Sequence, residues 1–184
     1  MAVAPDPPAR MTAEQLFRYD LPGKRTELLR GHLVVRNPAG FWHGVVALRL
    51  ATALQLWLRE NPLGVVSGND PGFVLKRGPD TVRAPDVAFV RADRVPEAPD
   101  RGFAELAPDL AIEVRSRGDR TRALDAKVRQ WLAAGTRLVW VIEPVQKRAR
   151  VFRLDGSVAT LGHHDVLDGE DVLPGFRLAL REVT

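Results

Sequence analysis

Three carboxylates in this sequence sit where carboxylates are costly. Asp86 stands between Pro85 and the apolar run Val87-Ala88-Phe89-Val90. Glu113 lies inside Leu110-Ala111-Ile112-Glu113-Val114, and Glu27 opens the pair Leu28-Leu29. Acids are rarely buried in apolar strands unless they are paired or bound to a metal. Their hard oxygens suit Mg2+ or Mn2+, which keep waters and bind phosphate substrates. Such a cation can polarise a phosphodiester and supply hydroxide as nucleophile. Lys127 adds a fourth piece. It is a rare lysine in a chain that otherwise uses arginine, one turn before Trp131 on the helical stretch 125–135. A compact ammonium there can orient water or stabilise phosphoryl charge.

Each residue also has an ordinary reading. Asp86 could cap a turn, Glu113 could pair with an arginine across a sheet, and Glu27 could form a hairpin salt bridge. Lys127 could be a solvated helix charge. His43, after Trp42 at a helix start, could cap or pack. Arg115, Arg117, Arg120 and Arg122 could line a solvated loop or meet backbone phosphates beside a site. His163 and His164 read as surface residues, and Trp131 and Trp140 as core.

Other chemistries are absent from the 184 residues. With no Cys there are no disulfides, thiolate nucleophiles or Cys-ligated metals. No phosphate-binding P-loop, G-x-S-x-G elbow, G-x-G-x-x-G turn or H-E-x-x-H pair occurs. The four His make no metal-ligand spacing with one another. The 27 Lys+Arg against 23 Asp+Glu leave a charge of +4, which permits a nucleic-acid partner without demanding one. No apolar run reaches membrane-spanning length. A cytoplasmic protein is expected.

The elements that must position these residues follow from patterning. Residues 1–10 read as a disordered lead-in, and 11–184 as a single domain. Thr12 caps a short helix that stops near Leu21-Pro22-Gly23. Residues 26–36 form a hairpin around Arg30-Gly31. Residues 41–60 form a long helix whose apolar residues spread around much of its circumference, so both sides are expected to be covered. One or two strands fill 64–76, broken near Asn69-Asp70-Pro71-Gly72. Strands follow at 84–90 and 108–116, separated by a polar excursion over 91–107. A second helix spans about 121–134 and closes at Gly135. A strand at 137–144 leads to a hairpin around Asp155-Gly156. The turn-rich tail is expected on the sheet edge. The fold class is mixed α/β: one central mixed β-sheet flanked by two main helices.

At these residues the chain resembles the PD-(D/E)XK nuclease superfamily, and within it the Uma-two family of restriction endonucleases. The resemblance rests on MTAEQLF, TELLRGHLVV, NPAGFWHG, GFVL through TVRAPDVAFV, APDLAIEVRS, KVRQWLAAGTRLVWVIEP and DVLPGF, together covering roughly residues 11–180. It implies a restriction-endonuclease-like core, Mg2+-dependent (or Mn2+-dependent) cleavage of DNA phosphodiesters, and a homodimer. It assigns Asp86 and Glu113 as metal ligands. Glu27 matches the acid of the family's Y-E-L-I-D-G segment, as a further ligand or water-positioning group. Lys127 matches a helix lysine that replaces the motif lysine, which accounts for Arg115 standing where E-x-K places Lys. His43 matches a family His at the start of the long helix. The chain departs from the pattern at Thr26, Arg30, Trp131 and Ser116-Arg117-Gly118-Asp119. Those departures keep a second expectation in play: a catalytically inactive nuclease-fold protein that binds nucleic acid or serves as a scaffold.

Overall fold

A computed structural model describes residues 8–97 and 102–184. The expected lead-in lies mostly outside the described residues. Helix α1, Ala13–Phe17, opens on a capping box: Gln15 N–H donates to Thr12 Oγ1, and Thr12 N–H donates to Gln15 Oε1 at 2.8 Å. It ends at Phe17, four residues before the expected stop. Strands β1 (Arg25–Leu29) and β2 (His32–Arg36) form the expected hairpin. Arg30 and Gly31 both take positive φ at its tip, the twist that a two-residue antiparallel turn requires.

Helix α2 runs Phe41–Glu60. It buries Val46, Leu50, Leu54 and Leu58, one row at four-residue spacing. Its other side is not covered as expected: Leu48 is 68% exposed and Leu56 is exposed as well. The row facing the sheet is buried, Ala47, Ala51, Ala53 and Trp57 beside it pack partly against the same cluster, and the far side finds no partner among the described residues.

Strands β3 (Gly64–Gly68) and β4 (Phe73–Lys76) are separate, with the break where the turn residues placed it. Strand β5, Thr81–Arg83, is too short to show a pattern and was not anticipated. Then come β6 (Val87–Arg91), β7 (Leu110–Val114), helix α3 (Thr121–Ala133) and β8 (Leu138–Glu143). Gly135 has a positive φ just past α3, as its closing role requires. The chain ends with β9 (Arg148–Arg153), β10 (Val158–Leu161), β11 (Val166–Asp168) and β12 (Arg177–Ala179).

The central sheet has six strands in the order β10-β9-β8-β7-β6-β3. Only β7 and β8 pair in parallel, and α3 is the crossover their parallel pairing demands. A second sheet, β2-β1-β5-β4, and the ribbon β11-β12 stand beside the expected central sheet.

Strand alternation decides what each face carries. Leu110, Ile112 and Val114 of β7 join the cluster under α2, with Val87, Phe89, Leu138, Trp140 and Ile142. Ala111, Ala88, Val90, Val139 and Val141 face the other way, onto Leu124, Val128 and Trp131 of α3. The tail does not sit on the sheet edge as expected. Phe176 stacks on Trp140 at 6.1 Å and meets Trp57 edge-on at 5.7 Å. Leu167, Leu173 and Leu178 join the same cluster, covering sheet surface that α2 leaves bare.

Leu50 is fully buried at the centre of that cluster. Leu50→Ala is expected to cost about 3 kcal/mol of unfolding free energy. Urea denaturation of the two proteins checks this, with a loss below about 1 kcal/mol counting against the packing described.

Candidate active site

Glu113 is the fourth residue of β7, so alternation puts it on the face of Ala111, toward α3. There the helix presents Lys127 and, one turn on, Trp131. Lys127 Nζ lies 2.8 and 2.9 Å from the two oxygens of Glu113, and Trp131 Nε1 donates to Oε1 at 2.9 Å. The core role expected for Trp131 is real but incomplete, because its ring nitrogen also fixes the carboxylate.

Glu27 comes from the other sheet. Its Oε1 lies 3.0 Å from Lys127 Nζ and accepts the Ala84 N–H at 3.0 Å. Its Oε2 accepts from Arg83 at 2.8 Å and Arg36 at 3.4 Å. Lys127 also donates to the Ala84 carbonyl at 2.7 Å. Segment 84–86 is where the chain passes from the second sheet to the first, and it delivers Asp86 to the same place. Asp86 Oδ2 accepts the Val114 N–H at 2.6 Å and lies 3.2 Å from His43 Nε2. Asp86 Oδ1 meets Arg25 at 3.3 Å, and Arg25 reaches on to Asp70 at 2.7 Å.

The cleft so formed has a volume of about 70 Å³ and is walled by β1, α2 and α3. Glu27, Asp86, Glu113, Lys127 and His43 all line it. Arg115 does not. Its guanidinium turns to Glu143 at 2.6 Å and to Thr121 at 2.9 Å. As a site accessory Arg115 is therefore replaced by a strand-to-strand tie, since Glu143 is fully buried and needs a cation. Of the other loop arginines, Arg120 lines the cleft, Arg117 lines the groove beside it, and Arg122 is exposed on α3.

Four contributors escaped sequence reading: Arg25, Arg36, Arg83 and Asp70. Arg25 and Arg36 are cross-strand partners in the β1–β2 register. The hairpin tip at Arg30-Gly31 was legible, and counting outward from it pairs them. Arg83 is nearly fully buried on the unanticipated β5 and gave no signal.

The charges are strongly perturbed. Burial would raise Glu27, but Lys127 and Arg83 outweigh it and hold the carboxyl near 2. Burial acts on Glu113 too. Asp86 and Glu27 add to it, and together they push Glu113 up to about 7 against the pull of Lys127. Burial would raise Asp86, but His43 and the Val114 N–H bring it down. Desolvation would lower His43 and Lys127, yet their carboxylate neighbours raise both.

Among the described residues, no three His, Cys, Asp or Glu side chains converge as metal ligands. All four lone-pair positions of Glu27 are engaged by Ala84, Lys127, Arg83 and Arg36. The three-acid metal set expected from the sequence therefore narrows to Asp86 and Glu113. Those two keep hard oxygens with lone-pair capacity and raise each other's electrostatic cost, which a divalent cation would relieve.

The family model described as "Uma2: Putative restriction endonuclease" matches residues 13–181. The chain belongs to this family. Its fold is also found in a crystal structure from Anabaena variabilis described as a putative nuclease of DUF820. The two share 15% identity at a TM-score of 0.79, over 94% of this chain and 97% of that one. No curated protein is similar enough to count as a relative. The Uma2 match supports a nuclease-like function.

Glu27 supplies a pH test. Its folded pKa near 2 lies below the ordinary 4.5, so the unfolded chain binds the proton first as pH falls. Its stabilisation is complete above pH 5 and is lost between pH 5 and 2. Glu27→Gln should cost about 3–5 kcal/mol at pH 7, because Arg83 and Lys127 lose their shared counter-charge. In urea denaturation the gap to wild type should narrow steadily toward pH 2. A gap independent of pH would sink this account.

Proposed function

We propose that the protein is a divalent-metal-dependent endonuclease that hydrolyses DNA phosphodiester bonds. The observation carrying this reading is the pairing of Asp86 and Glu113 in one cleft with the Lys127 ammonium against Glu113. Asp86 and Glu113 would hold Mg2+ or Mn2+. That cation would polarise the phosphodiester and lower the pKa of a bound water.

The chain's own groups prepare the rest. Trp131 and Lys127 fix the rotamer of Glu113, and the Val114 N–H fixes Asp86. Lys127 places positive charge where phosphoryl charge develops. His43 sits on Asp86 with its pKa raised, so it can hold a proton at Nε2 beside the substrate. Arg25, held by Asp70 and Asp86, lines the cleft and would bring a further positive charge toward a phosphate.

A second reading rests on a specific observation. The cations already around both acids, Lys127, His43 and Arg25, could stand in for a metal. The chain would then be a nuclease fold that binds nucleic acid without cutting it, with an affinity indifferent to divalent ions.

Asp86→Asn keeps an acceptor for the Val114 N–H and removes the charge. It should reduce Mg2+- or Mn2+-supported cleavage of plasmid DNA by at least about a hundredfold. Calorimetric Mn2+ binding should fall with it, while circular dichroism stays unchanged. A folded Asp86→Asn protein that cuts like wild type would overturn the assignment. Wild type that binds DNA equally with and without metal and never cuts would select the second reading.

A further inference from the structure

Beside the cleft runs a groove of about 770 Å³, open to solvent. The two share walls at Arg25, Arg36, His43 and Asp119, so whatever lies in one continues into the other. Two large aromatics stand on its rim. Phe41 is 78% exposed and Trp42 is 67% exposed, held edge-to-face at 5.5 Å on the first turn of α2. Neither belongs to any of the three core clusters. Across from them lie Arg36, Arg115 and Arg117, against the single acid Asp119. Arg117, and Arg120 at the cleft edge, make no ion pair with any described residue. The start of α2 adds unspent donors, because its cap Gly40 brings no side chain to the first-turn N–H groups.

Exposed aromatic faces beside unpaired guanidinium groups match one chemistry: nucleobases joined by phosphates. A duplex keeps its base faces stacked inside the helix and cannot offer them to Trp42. An unpaired strand can. We propose that this groove binds an unpaired nucleic-acid strand. Its bases stack on Phe41 and Trp42, and its phosphates meet Arg36, Arg117 and Arg120, which leads the backbone toward Asp86 and Glu113. As to what the strand is led to, this rests on the nuclease reading of the cleft. The binding itself does not. The substrate class follows: DNA with single-stranded, frayed or bulged segments ahead of perfect duplex.

The test is fluorescence anisotropy of the full chain in EDTA, where no cutting occurs. The probes are oligothymidylate, oligouridylate and a hairpin duplex of equal phosphate number. The expected result is tighter binding of a single strand than of duplex. Trp42→Ala should weaken strand binding about fivefold or more, Trp42→Phe should restore most of it, and duplex binding should be untouched. Arg117→Ala should weaken strand and duplex alike and lower the salt slope by about one. Tighter binding of either single strand than of duplex supports the proposal. Unchanged strand binding by Trp42→Ala, or equal losses on strand and duplex, would overturn the proposal. So would a Trp42→Ala protein that sediments as a smaller species yet binds as before, which would assign the aromatics to contact between copies. A wild type that binds the strand but cuts no DNA when Mg2+ is restored would overturn the nuclease reading and leave this one standing.

Discussion

One buried ammonium holds the site together. Lys127 sits within hydrogen-bond distance of Glu113, Glu27 and the Ala84 carbonyl, and it is almost wholly shielded from water. Those three partners belong to β7 of the central sheet, β1 of the second sheet and the segment that crosses between them. A buried cation without partners is prohibitively costly, and so is a buried pair of carboxylates without a cation. Each sheet therefore brings a carboxylate to the one ammonium that α3 supplies. The hydrophobic clusters stack the layers, and this charge cluster fixes where along the layers they meet.

The same arrangement explains the divergent titration of two neighbouring glutamates. Glu27 shares Lys127 but also has Arg83 and Arg36, so its carboxylate is stabilised far beyond an ordinary acid. Glu113 has Lys127 alone among cations and faces two other acids, so it is held close to neutrality. One acid is an anchor with no spare valence. The other carries electrostatic strain that a cation can release. That division distinguishes the two glutamates more clearly than depth of burial, which is nearly the same for both.

Much of this was legible in the residues. The acids inside apolar strands and the odd lysine before Trp131 pointed to Asp86, Glu113, Glu27 and Lys127, and the structure gathers all four. The helix, hairpin and central-sheet elements followed from period and turn chemistry. What was hidden has physical reasons. Arginine is so frequent here that nothing marked Arg25, Arg36 or Arg83 as buried partners. The three residues of β5 cannot show alternation, so the second sheet stayed invisible. On α2 composition indicated two covered sides, while burial depends on what the sheet and tail leave to be covered, which Leu48 and Leu56 do not meet. Arg115 misled because its place in the motif matters less than the fully buried Glu143 across the strand pair.

A lysine delivered by a helix is positioned differently from one delivered by a strand. In a strand the pleat locks every second side chain to one face, and an error is a whole register step that the entire ladder resists. Here the ammonium rides on α3, which is seated on the sheet by the packing of Leu124, Val128 and Trp131 rather than by a hydrogen-bonded ladder. A slide of one helical turn, about 5.4 Å, would remove the charge from both glutamates without breaking a single sheet hydrogen bond. The charge balance of this cleft is thus coupled to the axial seating of one helix, a coordinate that the sheet's own ladder leaves undetermined.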